Sequence, residues 1–251
     1  MLVLGTIGAG GIFTGTNPSY TPYELIHHIR ASKAQFLITE PEMLKPMLAA
    51  AKECEIPRSR ILIFNVLGQP LPEGFKSWET LLDHGEADWV RFDDLETGKR
   101  TEAGRFFSSG TTGLPKAVMM SHHNLVAQHT LYYGTDRRDF ETRRLLCLPM
   151  FHVATAPTSH TSTLKAGDLG VVMRRFDLQP FLKNVEEYQI SDLLMVPPLV
   201  IATIMSPMTK NYDLNSVKMT RCGAAPLGKG PQNTFMKLIG GSAPFTQVWG
   251  E

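Results

Sequence analysis

Short apolar runs alternate with helix-type patterns along most of this chain. The runs typical of strands lie at residues 11–15, 35–39, 60–64, 105–107, 145–148, 170–173, 193–196, 217–221 and 245–248. The patterns typical of helices lie at residues 21–30, 42–52, 121–133, 178–188 and 230–239, with a methionine-rich helix between 196 and 217. Continuously apolar strands separated by helices are typical of parallel sheets that are covered on both faces. The pattern therefore predicts an α/β fold, in stacked layers with mainly parallel sheets and flanking helices.

Residues 83–104 interrupt this alternation. They are rich in aspartate and glutamate and poor in aliphatic side chains. Their carboxylates do not have the spacing of a calcium-binding loop, so a solvated acidic connection is a better interpretation than a metal site. We therefore predict that the chain divides here, with one α/β segment over residues 1–104 and a second over residues 105–251.

Composition and charge restrict the possible functions. Of the 251 residues, 43% are hydrophobic and 20% are charged, which is typical of a globular protein. A net charge of +1 gives no electrostatic attraction for nucleic acid or for an anionic membrane, and we expect neither as a partner. The apolar residues at the start of the chain are too few to span a bilayer.

Cysteine usage bears on the cellular compartment. Cys54, Cys147 and Cys222 are far apart and form no Cys-x-x-Cys pair. An odd, sparse set of this kind is typical of reduced thiols inside the cell. No targeting tripeptide such as Ser-Lys-Leu ends the sequence. These features favour an intracellular protein, with the cytoplasm preferred and the peroxisome left open.

The segment with the clearest chemistry is a run of small, hydroxyl-bearing residues that ends in a lysine. It consists of Ser108, Ser109, Gly110, Thr111, Thr112, Gly113, Leu114, Pro115 and Lys116. Glycines allow a sharp turn whose N–H groups converge on an anion, and the lysine adds a full positive charge. The alternation places this segment in a loop between a strand and a helix. It predicts a loop that binds a polyphosphate, with an ordinary Gly/Ser/Thr turn as the alternative. It is not a Walker A motif, because no Gly-Lys-Ser/Thr follows the spacer.

This loop resembles the phosphate loop of the adenylate-forming superfamily, which includes acyl-CoA synthetases, 4-coumarate–CoA ligases and luciferases. Ala117 stands where the family usually has glycine. Four later segments, in the same order and spacing as in the family, are similar too: Leu-Pro-Met-Phe-His at 148–152, Val-Pro-Pro at 196–198, Gly-Ala-Ala-Pro-Leu-Gly at 223–228 and Gln-Val-Trp-Gly at 247–250. The resemblance covers nearly the whole chain and is strongest to 4-coumarate–CoA ligase-like enzymes.

The resemblance implies roles for particular residues. The loop at 108–116 would bind the ATP phosphates, and His152 would lie at the pocket for the acyl substrate. Because amino-acid-activating relatives tend to have aspartate where His152 stands, an aryl or fatty carboxylic acid is the expected substrate. The residues expected around adenine are Gly223, Ala224, Ala225, Trp249 and Gly250. Trp249 replaces the family's tyrosine, and a place in the hydrophobic core is the alternative for this side chain.

Other histidines and glycines have simpler interpretations. The pairs His27-His28 and His122-His123 are expected at the surface, since adjacent helical side chains point in different directions and make poor metal ligands. The glycines at 8–10 lack the third glycine of a dinucleotide-binding loop and are expected to serve helix packing.

The resemblance also implies an activity. ATP would convert a carboxylic acid to an acyl-adenylate with release of pyrophosphate, with Mg²⁺ assisting, and CoA would then accept the acyl group. By this resemblance, residues 1–104 are a partial first subdomain and residues 105–251 carry the phosphate loop. Three features of the family have no counterpart among these 251 residues. They are the small C-terminal domain with its catalytic lysine, the glutamate that binds magnesium and the aspartate that binds ribose. No catalytic residue and no metal ligand is therefore assigned.

Two functional hypotheses follow. The first is a fragment of an acyl-CoA ligase, with little turnover expected from these 251 residues alone. The alternative is a catalytically inactive homologue that serves as a nucleotide-binding or protein-interaction module. In either case, apolar surface normally covered by the rest of such an enzyme would be exposed, and self-association is expected.

Overall fold

A computed structural model describes residues 1–108, 113–135 and 138–249. Within it the chain forms two compact units, Met1–Asn124 and Leu125–Glu251. Four residues of the predicted phosphate loop, Ser109, Gly110, Thr111 and Thr112, lie outside the described residues, and so does Gly250 of the expected adenine site.

Helices and strands alternate through most of the described chain. The α-helices are α1 (Leu2–Gly8), α2 (Pro22–Ser32), α3 (Leu44–Glu53), α4 (Leu95–Arg100), α5 (His122–Thr135), α6 (Thr163–Ala166), α7 (Leu178–Glu187), α8 (Pro197–Met205) and α9 (Lys229–Leu238). The strands are β1 (Leu37–Thr39), β2 (Ile61–Ile63), β3 (Lys76–Ser77), β4 (Glu102–Ser108), β5 (Lys116–Ser121), β6 (Arg143–Leu146), β7 (Leu169–Val172), β8 (Asp192–Met195), β9 (Met219–Cys222) and β10 (Phe245–Gln247). Short 3₁₀ turns cover Pro41–Met43, Arg58–Arg60, Trp78–His84 and Pro207–Asn211, and a π-helical turn covers Thr158–Ser162.

The first unit is built on a small parallel sheet of order β1-β2-β3. Helices α2 and α3 pack on it through buried apolar side chains that include Leu25, Ile29 and Met47. Helix α2 begins as its sequence predicts, because the Thr21 side chain caps the helix and the Glu24 carboxylate accepts a hydrogen bond from the Thr21 N–H in return. The capping box and the apolar face together position α2, which contacts the predicted loop.

The second unit is built on a larger parallel sheet, whose described strands have the order β10-β9-β8-β6-β7. The core on one side of it is fully buried and includes Phe181, Leu182 and Val185 of α7, Val200 of α8 and Phe235 of α9. The sequence of α7 explains why it is helical. The Asp177 side chain caps its start, and its apolar residues recur at a helical spacing. The predicted α/β fold with mainly parallel sheets is confirmed.

The predicted order of strand, loop and helix around residues 108–116 missed one strand. Lys116 begins strand β5, which pairs antiparallel with β4, and helix α5 starts only at His122. The run from Ala117 to Met120 has the branched and apolar side chains of a strand, and its partner is the neighbouring strand in sequence.

Two further predictions need correction. In the part of the chain that the structure describes, residues 11–15 form no strand, and Phe13 alone makes a parallel bridge, to Gly104. Residues 83–104 are mostly exposed, as predicted, but they include helix α4, which Asp94 caps through its side chain. Within the described ranges, every helix is too short or too polar to cross a bilayer.

Candidate functional site

The β4–β5 hairpin brings the two ends of the predicted phosphate loop together. Ser108 lies opposite Lys116, and Phe107 lies opposite Ala117. Gly113 has φ of 93°, a left-handed conformation that glycine adopts without strain. The Lys116 residue is exposed. The hairpin therefore presents a lysine at the base of a glycine-containing loop, in a position to meet an anionic ligand.

Helix α2 packs against both ends of this loop. The His27 ring donates from Nε2 to the Pro115 carbonyl oxygen at 2.6 Å, and its edge faces the Phe107 ring. The neighbouring His28 ring stacks on Phe107 with 3.9 Å between ring centroids. Phe107 precedes the loop and Pro115 lies near its end, so two adjacent histidines contact both sides. The expectation that this pair lies at the surface is wrong for His28, which is only 2% exposed.

The His28 ring is held in its neutral form. Thr14 Oγ1 donates to the Arg105 carbonyl oxygen at 2.8 Å, so its oxygen accepts from His28 Nε2 at 3.0 Å. Nδ1 is then the unprotonated ring nitrogen, and it is buried with no hydrogen-bond partner among the described residues. Burial, reinforced by the charge of His27, lowers the pKa of His28 to about 4.

In the second unit, the turn after β9 requires small residues. A Cβ on Gly223 would lie 2.9 Å from the Val248 side chain and 3.0 Å from the Val248 carbonyl oxygen, so a larger residue would clash. Ala224 has φ of 70°, in the left-handed region, and both Ala224 and Ala225 are exposed. The backbone of this turn is therefore accessible to a ligand at the carboxyl edge of the sheet.

The turn and the last strand are joined by the amide of Gln247. Its Nε2 donates to the Leu227 carbonyl oxygen at 2.9 Å, and its Oε1 accepts from the Leu227 N–H at 3.0 Å. Two residues further on, Trp249 is 95% exposed, which excludes the core alternative for this side chain. Its indole face is available for stacking on a planar ligand. The sequence motif contained Gln247, but nothing in it indicated this amide contact.

A cavity of about 180 Å³ lies beside the same sheet. Its lining residues come from helix α5, strands β6, β8 and β9, the segment after His152, and the end of β10. They are Gln128, Tyr132, Arg144, Leu145, Leu146, Cys147, Leu148, Ala154, Thr155, Thr158, Ser159, Asp192, Leu194, Arg221 and Val248. His152 is not among them; its Nδ1 accepts a hydrogen bond from the Ala154 N–H at 3.1 Å. The cavity thus lies beside the segment that the sequence predicted for the acyl pocket.

One end of the cavity is formed by a buried charge cluster that the sequence did not reveal. The Asp192 carboxylate, with no exposed side-chain surface, pairs with Arg138 and Arg144 at 2.9 Å each and with Arg221 at 2.6 Å. Arg144 also pairs with Asp168 at 3.2 Å. A possible signal was the placement of charged residues inside apolar strands, where an unpaired charge would be costly.

Tyrosine rings surround these guanidinium groups. The Tyr132 ring centroid lies 4.9 Å from the Arg221 guanidinium carbon, and the Tyr132 hydroxyl accepts from Arg138 at 2.7 Å. Burial, followed by donation to the Asp168 carboxylate, raises the pKa of the Tyr133 hydroxyl to about 12. Burial lowers the pKa of Arg221 to about 10, so this side chain is still a cation at neutral pH. The cluster is therefore a cationic and donor-rich wall.

These features match a known family. The whole chain, residues 1–251, matches the sequence model described as AMP-binding enzyme, and the chain belongs to this family. Among curated relatives, it is 46% identical over 252 residues to an acyl-CoA synthetase, ACTT5, of Alternaria alternata, covering 100% of this chain and 44% of that protein. It is 48% identical over 254 residues to the phenylacetyl-CoA ligase epaB of Aspergillus niger, covering 100% of this chain and 47% of the relative. The chain thus spans less than half the length of these relatives.

Solved structures show the same fold. A long-chain-fatty-acid–CoA ligase, FadD1, from Archaeoglobus fulgidus superposes with a TM-score of 0.81 at 20% identity, covering 99% of this chain and 56% of that chain. ATP-bound MatB from Rhodopseudomonas palustris superposes with a TM-score of 0.73 at 22% identity, covering 99% of this chain and 46% of that one. At these identities the likeness establishes the fold of adenylate-forming enzymes.

The buried, neutral His28 should make the stability of the protein depend on pH. Its pKa is lower in the folded protein than in the unfolded chain, so between pH 6.5 and about 4 only the unfolded chain takes up this proton. We expect the free energy of unfolding to fall as the pH is lowered through this window, by at most about 1.4 kcal/mol per pH unit from this one group. Urea unfolding across the window should show a smaller dependence for His28→Gln. The control His123→Gln should retain the wild-type dependence, and equal slopes for all three proteins would contradict the assignment.

Proposed function

We propose that this chain forms the acid-binding and phosphate-binding portion of an ATP-dependent acid–CoA ligase that acts on a small aryl acid. The cavity beside the carboxyl edge of the large sheet is the observation that carries this proposal. It lies in a chain that matches the AMP-binding enzyme family along its whole length. The edge of an open parallel sheet is where such folds bind their ligands.

The size of the cavity favours a single ring. A cavity of about 150 Å³ accommodates benzene, and this one measures about 180 Å³. A ring with a short carboxylate arm fits such a volume. The relative named as a phenylacetyl-CoA ligase is consistent with this class of acid, as is a nicotinic acid–CoA ligase, pyr1, of Aspergillus fumigatus at 29% identity.

The proposed reaction has two steps. A carboxylate oxygen of the acid attacks the α-phosphorus of ATP, the bond to the bridging oxygen of the β-phosphate breaks, and pyrophosphate leaves. The sulfur of CoA then attacks the acyl carbonyl carbon, losing its proton, and AMP departs with the electrons of the acyl–oxygen bond. Residues 108–116 would neutralise the negative charge that grows on the departing pyrophosphate. Lys116, exposed at the base of the hairpin, would provide the full positive charge.

The remaining predicted site residues have proposed roles in holding the nucleotide and the acid. The exposed indole of Trp249 would stack on adenine, beside the exposed Ala224 and Ala225 and the buried Gly223, with Gly250 following. His152, two residues before the lining residue Ala154, would lie near the carboxylate end of the acid. Mg²⁺ would be bound to the ATP phosphates.

The cysteines support a reducing compartment. Cys147 and Cys222 are buried free thiols, and Cys54 is a partly buried one. Burial raises the pKa of Cys147 to about 12, which makes it inert. We propose an intracellular location, with the cytoplasm preferred.

Removing the Lys116 charge should weaken nucleotide binding. A hydrogen bond to a charged group contributes roughly 1.5–3 kcal/mol, so Lys116→Ala should raise the Kd for ATP by about tenfold or more. Isothermal titration calorimetry on the 251-residue chain measures this directly. Lys99→Ala is the control, because Lys99 is exposed and bonds only Glu96 among the described residues. Equal ATP affinities for the wild type and Lys116→Ala would contradict the role of the loop.

Acid-dependent release of pyrophosphate separates the two candidate functions. A ligase portion that completes the first step should release pyrophosphate from ATP only when a small aryl acid is present, and Lys116→Ala should lower that rate. A nucleotide-binding module without catalysis should bind ATP and release none. The assay uses the 251-residue chain with arylacetic and fatty acids, with and without CoA. A preference for long fatty acids would overturn the proposed substrate class.

Self-association is also proposed, through the exposed edge of the large sheet. Strand β7 is the last described strand on that side, and Val172 and Leu169 on it are 60% and 42% exposed. An apolar edge strand with unpaired backbone groups pairs readily with another copy. Light scattering after size exclusion should show dimers or larger species for the wild type, and Val172→Lys should shift the protein toward monomer. A monomeric wild type at tens of micromolar would refute this proposal.

A further inference from the structure

The carbonyl group that precedes Lys116 is held by a side chain of α2. The Pro115 carbonyl oxygen accepts a hydrogen bond from His27 Nε2 at 2.6 Å, across 88 residues of sequence. Proline fixes its own φ, and the bond to His27 fixes the direction of its carbonyl group. Because the Pro115–Lys116 peptide unit is trans and planar, the Lys116 N–H then points away from the His27 ring. One hydrogen bond therefore sets the direction of the backbone where the predicted phosphate loop meets its lysine.

The same histidine ring also reaches the other end of the loop. The edge of the His27 ring faces the Phe107 ring, with 6.3 Å between ring centroids. Phe107 lies opposite Ala117 in the hairpin, and Ser108 lies opposite Lys116. The His27 ring thus contacts one residue before the loop and one residue near its end. This arrangement holds the two ends of the loop at a fixed spacing.

Helix α2 is attached to the hairpin by other residues as well. Arg105 of β4 donates from Nη1 to the Ser32 carbonyl oxygen at the end of α2, at 2.5 Å. His28 is buried and stacks on Phe107, whereas His27 is only partly buried. Removing the His27 ring therefore leaves the helix attached to β4 and opens no fully buried cavity. The main loss is the contact with the loop.

This contact matters for binding because a phosphate loop must present several donors to one anion. Ordering those donors when the ligand arrives costs free energy, and a loop that is ordered in advance avoids that cost. The Nε2–H of His27 is already bonded to the Pro115 carbonyl oxygen, so this donor acts on the loop and not on a ligand. Its effect on a ligand is therefore indirect.

We propose that His27 is a positioning residue for the phosphate loop. It holds the Pro115 carbonyl group and thereby keeps the Lys116 backbone in the orientation that receives a polyphosphate. The phosphates of ATP and free inorganic pyrophosphate share the chemistry that such a loop recognises. This inference deepens the proposed function and rests on it, since it takes residues 108–116 as the site of the phosphates.

The test removes the donor at position 27 and measures phosphate binding by the 251-residue chain. Calorimetry with inorganic pyrophosphate, and separately with ATP, should give a Kd about 3- to 10-fold higher for His27→Leu than for the wild type, as the loss of one neutral hydrogen bond predicts. His27→Gln places an amide N–H near the position of Nε2, so it should bind both probes within about twofold of the wild type.

A second measurement follows the loop itself. Hydrogen exchange in the peptide that covers residues 108–117 should be faster in His27→Leu and should return to the wild-type rate in His27→Gln. His123→Leu makes the same change at a partly buried histidine of α5, and it should leave both the affinities and the exchange rates unchanged. Thermal unfolding checks the fold of each variant.

Each contrary result has a distinct meaning. Equal affinities of the wild type and His27→Leu for both probes overturn the inference and leave the proposed function standing. Binding by His27→Gln that is as weak as binding by His27→Leu shows that the hydrogen bond is not what matters, and it also overturns the inference. Weaker binding of ATP with unchanged binding of pyrophosphate places the effect of His27 outside the phosphates and overturns the inference too. A wild type that binds neither probe overturns the proposed phosphate loop itself.

Discussion

The second unit depends on one buried carboxylate. Asp192 begins β8 in the middle of the sheet, has no exposed side-chain surface and is bonded by arginines from β6, from β9 and from the segment before β6. Burying a carboxylate is costly unless several donors satisfy it, so these side chains must converge wherever the sheet forms. The same convergence keeps large cationic groups on one face of the sheet, where they form the polar end of the cavity. The opposite face, with Leu193 and Met195, is left free for the apolar core.

In the first unit, the β4–β5 hairpin and helix α2 hold the two ends of a glycine-containing loop. Hairpin pairing aligns Ser108 with Lys116, and α2 places two adjacent histidines against the residues on either side. Adjacent side chains on a helix point in different directions, which is why one histidine reaches Pro115 while the other stacks on Phe107. The proposed anion site requires rigid flanks, because N–H groups bind an anion well only when they are already in place.

The chain matches relatives that are roughly twice its length. The AMP-binding enzyme family is established by the match over residues 1–251, and the fold by superposition on adenylate-forming enzymes. Each unit contributes features of a different kind: the first a hairpin with an exposed lysine, the second a cavity, an accessible turn and an exposed tryptophan. The proposed function assigns the polyphosphate to the hairpin of the first unit and the acid to the cavity of the second.

The sequence by itself determined the fold class, the order of most strands and helices, and the family. Continuous apolar runs, the Thr21–Glu24 cap and the ordered motifs are local features, and local patterns encode such information directly. Sequence reasoning failed at β5, at His28 and at the Asp192 cluster, and each failure has the same cause. The Lys116–Ser121 segment becomes a strand because β4 pairs with it, His28 is buried because Phe107 covers it, and Asp192 is tolerated because distant arginines converge on it. Only the tertiary structure decides which side chains meet: β5 pairs with the strand just before it, whereas His28 and Asp192 contact residues far from them in the chain. The cavity of the second unit exists only where such contacts form.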